Sequence, residues 1–122
     1  MNILVILLSL ALVSPLIATE VCPNSPFKGE SMNEVKHWNN CKGIYLNSIN
    51  GNKYLGEFKK GKPDGIGSFH SKSGIKYKGH WKNGKFYGKG KLVWPDASQY
   101  KGDWKNGKRN GKGIETLLNG KK

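Results

Sequence analysis

The sequence predicts an all-β protein, a single elongated antiparallel meander of β-hairpin repeats. Three observations lead to this fold class. Residue types recur every 23 positions in the C-terminal part of the chain, as at Tyr54, Tyr77 and Tyr100. Between these tyrosines, aromatic residues and glycines alternate with lysines, which is the two-residue period of a strand. Turn-forming pairs such as Asn83-Gly84 separate the alternating segments, and no helical period accompanies the 17 glycines.

An apolar segment opens the chain before the repeats begin. Residues 3–18 carry no charge, are interrupted by Pro15, and are fewer than the about 20 residues that span a membrane as a helix. Such a segment, followed by small residues, is typical of a secretory signal peptide. We therefore predict a signal peptide over residues 1–18, cleaved after Ala18 or alternatively after Thr19, with an uncleaved anchor as the remaining alternative. Cleavage would leave an exported protein, periplasmic or extracellular, that is not transmembrane.

Residues 19–52 are predicted to form an N-terminal leader and a degenerate half-repeat that caps the meander. The segment NNCKG is similar to RNGKG in the last repeat, so that Cys41 stands where complete repeats have glycine. The other cysteine is Cys22, and an even cysteine count in an exported chain favours a disulfide. A bridge over so short a loop contributes about 3 kcal/mol. A short helix is expected around Ser31 to Trp38, with Ser31 as its cap and Glu34 completing a capping box.

Three complete copies of the repeat are predicted within residues 53–122, at 54–76, 77–99 and 100–122. Six positions keep their residue type in all three copies, two of them aromatic and four of them glycine. These structural repeat positions are Tyr54, Gly56, Phe58, Gly61, Gly65, Gly67, Tyr77, Gly79, Trp81, Gly84, Gly88, Gly90, Tyr100, Gly102, Trp104, Gly107, Gly111 and Gly113. One hairpin alone is marginally stable, so the stacking of copies is expected to stabilise the sheet.

Strand geometry assigns the repeat residues to two faces. In the second copy Tyr77, Gly79 and Trp81 share one face, and lysines occupy the other. The glycines are expected to leave room for aromatic rings to lie over the backbone of a neighbouring strand. The hairpin turn of this copy is predicted at Lys82–Lys85, and that of the first copy at Pro63–Gly65.

The pattern Y-x-G-x-[FW]-x-x-G-x-x-x-G-x-G, with its 23-residue period, resembles the MORN repeat. Together with the apolar N-terminal segment and the cysteine-containing leader, it is similar to the small exported MORN-repeat proteins of bacteria. The resemblance implies a hairpin meander, with phospholipid binding and protein scaffolding as the functions linked to such repeats. Two departures, Glu115 at the position of Leu92 and Ala97 at the position of Gly74, predict a degenerate last strand in the third copy.

No catalytic, cofactor-binding or metal-binding residue is predicted. The G-x-G segments lack the third glycine of a dinucleotide fingerprint and lead into strands, and the sequence has no G-K-[ST]. It also has no G-x-S-x-G, and Glu57 and Asp103 share one repeat position that suits charge balance with lysines. His37, His70 and His80 are scattered among lysines, which would repel a cation. We therefore expect no enzyme activity and no cofactor.

The net charge of +13 arises from residues 53–122, which hold eighteen basic and five acidic residues. The candidate anion-binding residues are Lys78, Lys82, Lys89, Lys91, Lys101, Lys105 and Lys112. A one-sided sheet needs one polar face, so solvation alone is one interpretation of these lysines. So many like charges also favour binding of lipid headgroups, lipopolysaccharide or another acidic envelope polymer. Nucleic acid is not expected as a partner, because the sheet needs its aromatic residues and export removes the protein from most nucleic acid.

We therefore predict an exported, non-enzymatic interaction or scaffold module. It would bind a protein partner or assemble with itself, through an exposed C-terminal edge and an open aromatic face. The alternative is a binder of anionic envelope surfaces, either phospholipid headgroups or an acidic polymer, through the lysine-rich face of the sheet.

Overall fold

The computed structural model describes residues 20–118, and the predicted signal peptide lies outside the described residues. These residues form one sheet and a 3-10 helix, which confirms the all-β fold class. The elements are β1 (Glu20–Val21), β2 (Phe27–Gly29), the 3-10 helix (Met32–Val35), β3 (Cys41–Asn47), β4 (Lys53–Lys59), β5 (Lys62–His70), β6 (Lys76–Lys82), β7 (Lys85–Val93), β8 (Gln99–Lys105) and β9 (Lys108–Thr116). Ser31 and Glu34 form the capping box that was predicted for the helix, but the helix ends at Val35 and does not extend to Trp38.

Strands β3 to β9 are antiparallel neighbours in chain order, which confirms the predicted meander. Two-residue turns close the hairpins of the three complete copies at Lys60-Gly61, Asn83-Gly84 and Asn106-Gly107, and all six residues have positive φ. Such type I′ turns match the right-handed twist of the flanking strands. The turn predicted at Pro63–Gly65 is therefore wrong, and these residues lie within β5. The reason is that Lys60 adopts the left-handed conformation that asparagine adopts in the other copies.

A row of glycines crosses the sheet perpendicular to the strands. Its members, paired in register from one strand to the next, are Gly43, Gly56, Gly67, Gly79, Gly90, Gly102 and Gly113. Tyrosine rings lie over this row, and a Cβ atom on Gly90 would overlap the ring of Tyr77. The Tyr77 hydroxyl donates a hydrogen bond of 2.8 Å to the carbonyl of His80. The rings therefore fill space that only glycine leaves free.

Each complete copy bends at a β-bulge beside the glycine row. In the second copy the register of the hairpin shifts between Gly79 and Trp81, and the other copies shift at the equivalent place. A bulge bends its strand, and the tryptophan after it packs against the preceding copy. The indole Nε1 atoms of Trp81 and Trp104 donate hydrogen bonds of 3.0 Å to the carbonyls of Gly67 and Gly90. Consecutive copies are therefore joined by side chains as well as by strand pairing.

The aromatic face is closed, and the prediction of an open aromatic face is wrong. Edge-to-face contacts link the copies, with ring centroids 5.1 Å apart for Tyr54 and Trp81 and 5.7 Å apart for Tyr77 and Trp104. Even in the last copy, Tyr100 and Trp104 are only 6% and 5% exposed. The bends at the bulges bring the rings of neighbouring copies over one another, so the tyrosine and tryptophan rings of the repeats are buried, while Phe69, Phe86 and Trp94 are partly buried.

The leader covers the N-terminal edge of the sheet. Strands β1 and β2 both pair in parallel with β3. The sequence predicted an antiparallel meander and gave no indication of these two parallel strands. The predicted disulfide between Cys22 and Cys41 is present. The ring of Trp38 and the side chain of Cys22 pack over Gly43, where a complete copy has its tyrosine. The cap therefore reproduces the ring-over-glycine packing of the repeats with different residues.

The last strand is complete, so the predicted degeneration of the third copy is wrong. Strand β9 pairs with β8 along its length. Ala97, in the loop between β7 and β8, adopts a positive φ of 72°. Arg109 occupies the repeat position of Phe86, and its guanidinium lies 4.6 Å from the ring centre of Tyr100. Glu115 pairs with this guanidinium at 3.0 Å. A charged pair thus covers the final tyrosine at the positions where the second copy has Phe86 and Leu92.

Replacing Gly90 by alanine should destabilise the fold, because the new Cβ atom would overlap the ring of Tyr77. We expect the free energy of unfolding in urea to fall by about 2 kcal/mol, the usual order for overpacking. Lys91→Ala is the matched control, since it alters the same strand on the opposite face, and its effect should stay within about 0.5 kcal/mol. Equal losses in the two variants would contradict the role of the glycine row.

Candidate anion-binding groove

A groove with a cavity volume of about 670 Å³ lies on the sheet face opposite the aromatic core. We call it the lysine groove. Its floor is the backbone of four paired glycines, Gly79, Gly90, Gly102 and Gly113. The first wall consists of residues paired in register on β6 to β9, namely Lys78, Lys91, Lys101 and Ile114. The second wall consists of Ile66, His80, Lys89 and Lys112.

Strand alternation positions the wall residues. Each wall lysine is adjacent in sequence to a floor glycine, as Lys89 and Lys91 are to Gly90. Successive residues of a strand point to opposite faces. Since the tyrosine ring lies on the core side of Gly90, the neighbouring lysines point away from the core. The same alternation that builds the aromatic core therefore assembles the lysines on the other face.

Lysines of the first wall oppose one another directly. Lys78 pairs with Lys91, and Lys91 pairs with Lys101, on three consecutive strands. Like charges directly opposite on one sheet face are destabilising. Within residues 20–118, neither ion pair of the structure includes any of these three lysines. The fold therefore gains no electrostatic stability from this row.

The second wall is partly neutralised. The Nζ atom of Lys89 lies 2.5 Å from a carboxylate oxygen of Asp103. The two side chains are 77% and 32% exposed, and exposed ion pairs contribute at most about 1 kcal/mol to stability. The pair nevertheless cancels one positive charge beside the floor, so the first wall carries the stronger positive potential.

The first copy of the repeat shows that the hairpin does not require these lysines. At the four repeat positions that supply the groove walls, it has Leu55, Glu57, Ile66 and Ser68. The second and third copies have Lys78, His80, Lys89, Lys91, Lys101, Asp103, Lys112 and Ile114 at these positions. All three copies form the same hairpin with the same glycine pairing. The five lysines are therefore additions to two copies of a unit that folds without them.

Five of the seven lysines proposed from the sequence line the groove, and Lys82 and Lys105 do not. These two are the last residues of β6 and β8, beside the hairpin turns. Lys82 is four residues from Lys78, which corresponds to about 13 Å along a strand. Its Nζ atom lies instead 4.9 Å from the ring centre of Tyr87. Strand alternation gives the face of a residue but does not give its position along the strand.

Sequence reasoning did not assign Ile66 and Ile114 to the groove walls. Both are exposed, at 48% and 58%, and contribute apolar surface among the lysine side chains. The repeat period could have placed both residues in the walls, because Ile66 is equivalent to Lys89, and Ile114 is equivalent to Lys91.

One acidic side chain near the groove, Glu57, has a structural contact that accounts for it. The Glu57 carboxylate accepts a hydrogen bond of 2.8 Å from the backbone N–H of Ile66. Among residues 20–118, no cluster of three histidine, cysteine or acidic side chains is placed to hold a metal ion. The chemistry that the groove itself offers is the binding of negative charge.

Tyrosine hydroxyls lie beneath the groove floor, on the core side of the sheet. Burial raises the pKa of Tyr77 to about 12, from an ordinary value of 10.0. Burial also raises the pKa of Tyr54, and the carboxylate of Glu57 adds to that increase. Both hydroxyls donate hydrogen bonds to backbone carbonyls, so the folded state favours their protonated form.

Stacked hairpins in an open sheet, joined by recurring ring-over-glycine packing, define a β-hairpin repeat protein. The family model described as "MORN repeat" matches residues 54–76, 77–99 and 100–122, and the chain belongs to this family. MORN repeats are in general protein- and membrane-interaction modules and are typically non-catalytic. A search of curated proteins found no match. Over residues 20–118, no helix is long and apolar enough to cross a membrane.

The stability of the protein should fall as the pH rises from about 10 towards 12. In this window the unfolded chain loses the Tyr77 proton while the folded chain keeps it, so deprotonation favours unfolding. Below pH 10 Tyr77 is protonated in both the folded and the unfolded state, so its full contribution to stability is present. Urea unfolding at a series of pH values measures the effect, with Tyr77→Phe as the comparison. Tyr77→Phe should be less stable than wild type at neutral pH by about 1 kcal/mol, because it lacks the hydroxyl hydrogen bond. Its stability should also fall less steeply above pH 10. Equally steep losses of stability in the two proteins would contradict the role of the Tyr77 hydroxyl.

Proposed function

We propose that this protein is an exported, non-enzymatic binding module that attaches to anionic envelope surfaces through the lysine groove. The observation that carries the proposal is the row formed by Lys78, Lys91 and Lys101. These lysines oppose one another directly and take part in neither ion pair within residues 20–118. An anionic ligand would relieve their mutual repulsion. The first copy of the repeat folds without lysine at these positions, which supports a role in binding.

The proposed export rests on the signal-like segment and the disulfide. Residues 1–18 have the composition of a signal peptide. The disulfide between Cys22 and Cys41 suits an oxidising compartment, because disulfides are rare where thiols are kept reduced. Cell envelopes expose phosphate-bearing lipid headgroups and acidic polymers, and these are ligands that a cationic groove selects.

Removing charge from the first wall should weaken binding to anionic vesicles. The triple variant Lys78→Gln, Lys91→Gln, Lys101→Gln is compared with wild type by co-sedimentation with phosphatidylglycerol vesicles over a salt series. At about 1 kcal/mol per lysine near an anionic membrane, we expect roughly a hundredfold loss of affinity at low salt.

The matched control removes three lysines at one repeat position next to the turns: Lys62→Gln, Lys85→Gln, Lys108→Gln. These residues are exposed and lie outside the groove, and the change in net charge is the same. Circular dichroism verifies that both variants are folded. Equal losses in the two triple variants, or wild-type binding that does not change with salt, would argue against the groove as the site.

Binding of a protein partner or of a second copy is a second candidate function, and the edge strand β9 favours it. Within the described residues no strand pairs with the outer edge of β9, and residues 108–115 are exposed. An unpaired edge is a template for strand addition. The opposite edge of the meander is covered by β1 and β2. Self-association through β9 would therefore stop at pairs instead of continuing into fibres.

Self-association through β9 predicts a dimer whose stability increases with salt. Two copies of a chain with a net charge of +13 repel each other, and salt screens this repulsion. Light scattering over a range of protein concentrations and ionic strengths measures the mass. A strict monomer at every concentration and salt level would exclude self-association through β9 and leave the groove proposal unaffected.

A further inference from the structure

The lysine groove is a channel with a floor and two walls, which restricts the shape of its ligand. Its floor is glycine backbone, and lysine and isoleucine side chains stand on both sides. The walls are two residues apart along each strand, which is roughly 7 Å between Cα atoms. A flat surface of headgroups would rest on the wall tips, whereas a single extended chain can lie between the walls above the floor.

The direction and spacing of the charges favour a linear polyanion. The first wall runs across the strands, and neighbouring strands lie about 4.8 Å apart. Lys78, Lys91 and Lys101 therefore present a positive charge at every strand step, and Lys112 adds one from the other wall. Four strands extend the channel over roughly 14 Å. A polymer with closely and regularly spaced negative charges can engage all of these lysines at once.

The groove also has apolar surface, which a chain-like ligand would contact. Ile66 and Ile114 line it at opposite ends, on β5 and β9, and their side chains remain about half exposed. The stems of the lysines add further apolar surface along the walls. This mixture of cationic tips and apolar sides suits a chain that carries its charges on a continuous backbone.

We propose that the lysine groove binds one chain of a linear phosphate-linked polyanion, laid across β6 to β9 over the glycine floor. This inference rests on the proposed function, because both use the same lysines. It goes further in selecting a polymer over the flat surface of a bilayer.

The two walls should contribute unequally. Asp103 pairs with Lys89 and competes with the ligand for that charge. Asp103→Asn removes the competing charge while keeping the size of the side chain, so this variant should bind the polyanion severalfold more tightly. The expected gain is opposite in sign to the effect of the lysine substitutions, and circular dichroism verifies that this variant is folded.

The experiment titrates the full chain with long-chain inorganic polyphosphate, tripolyphosphate and phosphatidylglycerol vesicles, at matched phosphate concentration and over a salt series. We expect long-chain polyphosphate to bind at least tenfold more tightly than tripolyphosphate, which is too short to reach all four strands. With four lysines engaged, log Kd should rise with log salt by a slope of about 3. Lys78→Gln, Lys91→Gln, Lys101→Gln should lose at least thirtyfold, and Lys62→Gln, Lys85→Gln, Lys108→Gln should lose severalfold at most.

The outcomes separate this inference from the proposed function. Vesicle binding that requires the first wall, with polyphosphate binding no more tightly than tripolyphosphate, would overturn the polymer inference and keep the proposed function. Polyphosphate binding that both triple variants weaken equally, or that Asp103→Asn leaves unchanged, would also overturn it. Failure of every probe to bind at low salt would overturn both. Chain-length dependence together with loss in the first-wall variant alone supports the polymer.

Discussion

The packing of tyrosine rings over a row of paired glycines is the constraint on which the rest of the structure depends. Seven glycines meet in register across the sheet, and a Cβ atom on Gly67, Gly90 or Gly113 would collide with the tyrosine of the same copy. Because the rings lie against backbone, a single sheet can bury its aromatic residues without a second sheet. The bulge beside the glycine row completes this arrangement, since it brings each tryptophan onto the preceding copy.

This constraint separates the residues that fold the repeat from those that are free to vary. Tyrosine, a second aromatic residue (Phe58, Trp81 or Trp104) and glycine occupy the core side, and their period is unbroken over three copies. The positions between them face the groove, and there the copies differ, with Leu55 in the first copy where the others have Lys78 and Lys101. A charged surface can therefore be changed without altering the core, because adjacent residues of a strand belong to opposite faces.

The two ends of the sheet are capped by different groups. At the N-terminal end, the disulfide, Trp38 and two parallel strands cover β3, and they replace the missing first strand of the half-repeat. At the C-terminal end, Arg109 and Glu115 cover Tyr100 with a charged pair while the backbone edge of β9 stays unpaired within the described residues. Terminal copies of a repeat protein need such caps, because they lack one neighbour.

The sequence by itself determined the all-β class, the meander and the face of the groove lysines, because the 23-residue period and strand alternation can be followed along the chain. Its two cysteines indicated the disulfide. The tertiary structure decided which side chains meet. It placed the first turn at Lys60-Gly61, closed the aromatic face, added parallel strands to β3 and left Lys82 and Lys105 outside the groove. These features depend on bulges, on the conformation of single residues and on contacts between copies, none of which a repeat period specifies.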